Sequence, residues 1–287
     1  MMKIGIDVGG TTLKLGVVEN NKEIIYRDTR PSIHDPKGMA QCLYEMIVDA
    51  RKKYPGAPAA ISIAGLIDAE GNVDANQLNF WHAPVGPMLF EKLGERVMIE
   101  NDGISALLAE YRAGALKGCE SGLMLTFGTG IGGGAILDGK PLRGFRAGAQ
   151  RANAELGHII THVDGESCSC GQTGCWESYA SCTALSKMAG GLTPKEILDK
   201  VRQGEMTELW DRYIHEVSQG ILALCSVFYP QVVAIGGGLS NAGDIFIGRV
   251  QEELDHVPNF RVHHPDTKIV SAHFLNDAGI LGAAALI

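Results

Sequence analysis

Two stretches of this chain repeat one plan, and the repetition limits the folds open to it. Residues 3–7 form a short apolar run ending in Asp7-Val8-Gly9-Gly10-Thr11-Thr12, after which residues 13–18 are apolar again. Residues 123–126 do the same ahead of Gly128-Thr129-Gly130-Ile131-Gly132-Gly133-Gly134, and residues 135–137 return toward the Asp138-Gly139 turn. Each reads as strand, glycine turn, strand. Two such units predict two related α/β halves closing on a nucleotide between them. Gly9, Gly10, Thr11 and Thr12 in one turn, with Thr129 and Gly130 in the other, offer amide and hydroxyl donors to phosphate. A simple connecting turn is the competing reading for each. A third turn, Gly236-Gly237-Gly238, follows an apolar run at 232–235, and its bare backbone suits close approach to a flat base.

The rest of the pattern alternates strands and helices. Residues 59–64 read as a buried strand closing at Gly65, and residues 97–100 as another, with Asn101-Asp102 at its end before a helix over 104–114. Ligands in α/β sheets collect outside the carboxyl ends of strands. Asp102 is therefore a candidate catalytic base and, by position alone, equally a candidate helix N-cap. Asp7, also at a strand end, is suited to orienting a hydrated magnesium ion. The run Asn76-Gln77-Leu78-Asn79-Phe80-Trp81 reads as a loop rich in amides, whether it binds a ligand or only covers surface. Apolar spacing predicts helices over 37–54, 183–203 with a break at Gly190-Gly191, 207–229, 245–254 and 278–286, and a strand over 268–271. A run of small and charged residues at 114–121 marks a boundary.

The densest chemistry lies in Glu155-Leu156-Gly157-His158 and in Cys168-Ser169-Cys170-Gly171-Gln172-Thr173-Gly174-Cys175-Trp176-Glu177. Zinc accepts cysteine sulfur and histidine nitrogen in a tetrahedron, and a glycine-bearing turn can carry three sulfurs round one ion. His158, Cys168, Cys170 and Cys175 would fill the shell, leaving no position for water, so the ion would be structural. A disulfide pair with a spare thiol is the alternative. A clamp here would fix Glu155 and Glu177 as acceptors for a polyol, and its loss is expected to weaken polyol binding and leave nucleotide binding intact.

Charge narrows the ligands further. The chain has 25 Lys and Arg against 33 Asp and Glu, a net charge of −8, with no basic cluster to engage nucleic acid. Phosphate must then be held by backbone amides, metal ions and a few placed side chains. No apolar run approaches membrane-spanning length, and the opening residues do not form a charged-then-apolar leader. Seven cysteines, four of them scattered at Cys42, Cys119, Cys182 and Cys225, fit reduced thiols in a cytoplasm.

In this order, the three glycine turns, the strand-end Asn-Asp, the Glu-x-Gly-His and the Cys-x-Cys-Gly-x-x-Gly-Cys-x-Glu resemble the ROK family of glucokinase-, fructokinase- and N-acetylmannosamine kinase-like proteins. The resemblance runs from Asp7 to Gly282-Ala283-Ala284; its cysteine segment is highly specific and its glycine turns individually weak. It implies a two-domain actin-like, hexokinase-like ATPase fold, α/β with a mixed sheet in each domain. The expected domains are 1–117 plus 277–287 and 118–276, with the C-terminal helix crossing back onto the first. It implies an ATP- and magnesium-dependent kinase of a monosaccharide, a hexose at its 6-hydroxyl, with Asp102 as base and structural zinc on His158, Cys168, Cys170 and Cys175. Sugar contacts would come from Gly65, Asn76, Asn101, Asp102, Glu155, His158 and Glu177. Nucleotide and magnesium would be held through Asp7, Gly9, Gly10, Thr11, Thr12, Thr129, Gly130, Gly237 and Gly238. A homodimer without nucleic-acid or membrane partners is the expected assembly. The family also contains sugar-responsive repressors, which carry an added helix-turn-helix; a sugar sensor without turnover is the alternative function. Where relatives carry Asn-Leu-x-x-Trp, Trp81 here follows Gln77, so Asn76, Gln77 and Asn79 are all candidates for the sugar contact. Ala154 replaces a common glycine, and residues 146–153 are more polar than in many relatives.

Overall fold

The computed structural model describes residues 1–144 and 154–287; the polar stretch 146–153 lies outside them. Met1–Lys117 and Asn276–Ile287 form one compact unit, with Arg143 and Gly144, while Gly118–Leu142 and Ala154–Leu275 form another. In the first, β1 (Met2–Val8), β2 (Thr12–Glu19) and β3 (Glu23–Pro31) lie antiparallel. Helix α1 (Pro36–Lys53) then leads to β4 (Ala59–Ile63), parallel to β1. A small sheet of β5 (Leu66–Ile67), β6 (Val73–Ala75) and β7 (Phe80–Ala83) precedes α2 (Val85–Leu93). Last come β8 (Met98–Asn101), parallel to β4, and α3 (Asp102–Ala113). The sheet order is β3-β2-β1-β4-β8.

The second unit repeats this plan. Strands β9 (Gly122–Phe127), β10 (Ile131–Leu137) and β11 (Lys140–Pro141) are antiparallel. Helices α4 (Glu177–Ala180), α5 (Cys182–Met188), α6 (Pro194–Arg202) and α7 (Thr207–Phe228) follow. Then come β12 (Val232–Gly237), α8 (Ile247–His256), α9 (Phe260–His263) and β13 (Lys268–Ser271). The order β11-β10-β9-β12-β13 has the same strand directions as the first sheet, a mixed sheet in each unit. Sequence periodicity anticipated this duplication. It also placed Gly132, Gly133 and Gly134 in the turn, whereas they lie within β10. Cross-strand pairing with β9 absorbs them; at φ 153° a Cβ on Gly133 would meet the β9 backbone at Met124 and Leu125.

Helix α1 buries Met39, Leu43, Met46, Ile47 and Ala50 along one stripe, and Asp35 caps it by accepting from the Gly38 amide at 2.7 Å. The terminal helix α10 (Ala278–Ala284) packs on α3, β1 and β4 of the first unit. Glycines permit that approach: a Cβ on Gly282 would overlap the Ser105 carbonyl, and one on Gly5 the Ile280 carbonyl. Backbone cannot give way as a side chain does. Gly282→Ala is therefore expected to cost roughly 3 kcal/mol of stability in urea unfolding. A cost under about 1 kcal/mol would mean that α10 is free to shift.

Candidate functional site

In the first unit the candidate residues gather at the carboxyl ends of the parallel strands. Asp7 pairs in register with Ser62, and Ile63 with Asn101, so the ends of β1, β4 and β8 are aligned. Gly9, Gly10 and Thr11 form the β1–β2 turn, and Thr12 opens β2; the Gly9 amide bonds the Thr12 carbonyl at 3.0 Å. Ser32 steadies the turn from β3's end, its hydroxyl donating to the Gly9 carbonyl at 2.5 Å and its amide to that of Thr11 at 3.0 Å. The Gln77 side chain lies beside Gly10 and donates to the Ala64 carbonyl at 3.3 Å. Asn76 opens a short 3-10 turn over Asn76–Leu78, which ends at Asn79 in the left-handed region, φ 59°. The amide-rich run is thus part turn and part strand β7, with Trp81 69% exposed.

The cap of α3 is Asn101, whose Oδ1 accepts from the Gly103 and Ile104 amides at 2.9 and 3.3 Å. Its Nδ2 donates to the Gly65 carbonyl at 3.1 Å. Gly65 has φ 144°, and a Cβ there would strike the Asp74 backbone, so its carbonyl can be held this close only as glycine. Asp102 is the first helical residue, one place inside the cap. Its Oδ1 accepts from the Gly103 amide at 2.9 Å, and its own amide also bonds the carboxylate.

The Asp102 carboxylate is reachable by water yet hemmed in by protein, and desolvation raises its pKa against the pull of the Gly103 amide. Asp7 is raised too, first by desolvation and also by the charge of Asp102, while Lys14, its Nζ 3.7 Å from Oδ2, pulls the other way. Two carboxylates that repel at strand ends suit a cation. Lys14 was not singled out by sequence, because a lysine alternating with apolar residues in β2 looks like any outward-facing strand residue.

In the second unit, a ring nitrogen of His158 and the sulfurs of Cys168, Cys170 and Cys175 all lie within 4.8 Å of one another. Cys168 Sγ is 3.6 Å from His158 Nδ1, and Cys170 Sγ is 3.6 Å from Cys175 Sγ. A tetrahedron with 2.3 Å metal–sulfur bonds has edges of about 3.8 Å, so the four donors fit one zinc-sized ion. Gly171 and Gly174 adopt φ of 91° and 77°, the freedom the turn requires. Burial opposes ionisation of Cys168, yet the Cys170 amide and the neighbouring thiols hold it down at about 7. Burial and the other two thiols push Cys175 up to about 12. Three thiols this close cannot all ionise without a cation. Trp176 ties the loop to the core, buried edge-on against Phe127 with ring centroids 5.7 Å apart, and donates to the Glu216 carbonyl at 2.9 Å.

Glu155 precedes the 3-10 turn Leu156–His158 and accepts from the His158 amide through its carbonyl at 3.0 Å. Thr129 and Gly130 occupy the β9–β10 turn, where the Gly128 amide meets the Gly130 carbonyl at 2.9 Å. Glu177 Oε2 accepts from the Ile131 amide at 2.8 Å, and Oε1 lies 3.9 Å from Cys168 Sγ. Gly237 pairs in register with Phe127, setting the third glycine turn beside the second. Its φ is 85°, and a Cβ there would overlap the Phe127 backbone. Ser240 donates to the Gly237 carbonyl at 2.7 Å, and Gly238 opens the next helical turn. A cavity of about 510 Å³ bordered by Met1, Lys53 and Pro58 lies at the opposite, amino ends of β1 and β4, away from all these groups.

The family model described as "ROK family" matches residues 3–287. A glucokinase of Thermotoga maritima is 33% identical, over 99% of this chain and 96% of its own length. Among solved structures, a ROK family glucokinase from Streptomyces griseus in complex with glucose and AMPPNP superposes with a TM-score of 0.80 at 29% identity, covering 100% of this chain and 99% of that one. A ROK hexokinase from Thermus thermophilus gives 0.83 at 29%, covering 99% and 97%. Among the described residues, no helix is long and apolar enough to cross a membrane.

Proposed function

The chain belongs to the ROK family, and from that membership we propose that it phosphorylates a hexose at the 6-hydroxyl, with Asp102 as the general base. It is an ATP-dependent sugar kinase with the α/β fold of the ROK hexokinases. The observation that carries the finer reading is the division of labour at the end of β8. Asn101 caps α3 and holds the Gly65 carbonyl, so the Asp102 carboxylate is not needed as the cap and is available to a substrate hydroxyl.

Phosphoryl transfer asks a protein chiefly for alignment and charge compensation. Asp102 accepts the hydroxyl proton as attack on the γ-phosphate proceeds, and its raised pKa makes it a stronger base than an ordinary carboxylate. Asn101, Gly65, Asn76, Glu155, His158 and Glu177 bind sugar hydroxyls. Gln77 joins Asn76 as a candidate, since its side chain lies between the Ala64 carbonyl and Gly10. Gly9 to Thr12 and Thr129-Gly130 donate to phosphate, Gly237-Gly238 receive adenosine, and Asp7 would hold magnesium, which would offset phosphate charge. His158, Cys168, Cys170 and Cys175 would hold a structural zinc, which would fix the loop and take no part in binding substrate. The family resemblance carries a homodimer, and the seven free thiols fit a reducing cytoplasm.

A coupled ADP-release assay over hexoses, amino sugars and disaccharides, with phosphorus NMR of the product, is the direct test. One hexose should give a 6-phosphate at a kcat/KM at least about tenfold above the other sugars. ADP release without any sugar phosphate, or a product phosphorylated at another carbon, would overturn the assignment.

A further inference from the structure

The segment that follows the cysteine cluster also grips the second glycine turn. Glu177 Oε2 takes the Ile131 amide at 2.8 Å, the Cys182 amide takes the Gly128 carbonyl at 2.9 Å, and the Thr183 hydroxyl takes the Thr129 carbonyl at 2.7 Å. The glutamate carboxylate lies so close over Gly130 that a Cβ there would overlap it. Gly157 packs against the Ile131 carbonyl, where a Cβ would overlap it. The backbone of Ile131 is thus contacted at both its amide and its carbonyl by the two halves of the cysteine–histidine segment. Among the described residues, the Thr129 and Gly130 amides have no protein acceptor. The Gly128, Thr129 and Gly130 carbonyls and the Gly128 and Ile131 amides are already engaged, so two adjacent amide donors are left in a fixed frame.

We propose that Glu177 is a positioning residue for the nucleotide phosphates: fixed beside the cysteine loop, it holds the Ile131 amide and, with Thr183, presents the Thr129 and Gly130 amides to phosphate. The role is additional to any sugar contact and rests on the ATP reading above. It also revises the expectation that the cysteine loop serves the sugar alone. A carboxylate bonded to an amide in β10 and lying beside Cys168 ties the two binding functions of this unit together.

Calorimetric titration of ADP and of adenosine, without sugar, into wild type, Glu177→Ala, Glu177→Gln and Thr183→Val separates the roles. Adenosine reports the base turn and ADP adds the phosphates. Glu177→Ala and Thr183→Val should each weaken ADP about tenfold and leave adenosine within about twofold. Glu177→Gln, whose amide oxygen still accepts from Ile131, should recover most of the ADP affinity. Unchanged ADP affinity in Glu177→Ala and Thr183→Val would overturn the proposal. So would a parallel loss of ADP and adenosine in both variants, which marks general unfolding of the unit. A wild-type protein that binds neither ligand would instead overturn the nucleotide reading, and this one with it.

Discussion

Asp102→Asn should bind its hexose as wild type does and turn it over more slowly by about 10²- to 10⁴-fold. Asparagine keeps the shape and can still accept from the Gly103 amide, so the start of α3 is preserved. The proton acceptor alone is lost, and the deficit should fall on kcat with little change in sugar affinity. Acidity gives a second signature. Desolvation raises the Asp102 pKa, so the acidic limb of kcat/KM in wild type should lie above the usual carboxylate range and rise with pH as the base ionises. That limb should vanish in the variant. Stability has the opposite sign: with the folded pKa raised, the native chain holds its proton where the unfolded chain has released it. Stability therefore falls as pH climbs from the unfolded pKa through the folded one, and ionised Asp102 weakens the fold at neutral pH. Asp102→Asn removes this term and relieves the repulsion with Asp7, so it should melt higher than wild type at pH 7. A variant keeping more than about a tenth of wild-type kcat would return Asp102 to a purely structural place at the helix start.

What the sequence disclosed and what it hid divide by the range of the interactions. The cysteine–histidine cluster could be read because its ligands are separated by short spans and its glycines take the φ values that the turn demands. The paired strand–turn–strand units could be read for the same reason, since each is closed by neighbours in the chain. Strand β3 escaped: it alternates exposed and half-buried residues along an edge, and after Ile24-Ile25-Tyr26 the rest of Glu23–Pro31 is polar or charged up to Pro31, so no buried-strand pattern spans it. Helix α2 escaped too, because Gly86 and Pro87 near its start read as a turn. By position, Asp102 and the helix cap could not be told apart, and only the Asn101 hydrogen bonds assign the cap to its neighbour. The Glu177–Ile131 bond joins residues 46 apart in sequence, a contact that no local pattern encodes.

Replacing a proposed zinc ligand, as in Cys175→Ser, should lower kcat/KM for sugar by roughly 100-fold while most secondary structure survives. Loss of groups that orient a metal site costs on the order of 10–100-fold in affinity or activity, and loss of a ligand itself falls at the upper end of that range. The fold should survive because the loop is only one edge of a large core. Trp176 stays anchored by the Glu216 carbonyl and by Phe127, and the aromatic cluster of Phe127, Trp210, Tyr213 and Phe246 involves no cysteine ligand. Structural zinc contributes about 10–16 kcal/mol in peptides that have no core of their own; in this chain, whose core stands without it, zinc would serve to fix one loop and the imidazole of His158. Wild type should contain about one zinc per chain by elemental analysis, the count of a closed four-ligand site. Hydrogen exchange in Cys175→Ser should rise across 158–177 and in the β9–β10 turn, which Glu177 holds, and stay slow in α7 and β12. Because that turn loosens, ADP affinity should fall together with sugar affinity. Wild type that holds no zinc when grown and purified with the metal, or a Cys175→Ser enzyme with undiminished turnover, would remove the cluster from any part in catalysis.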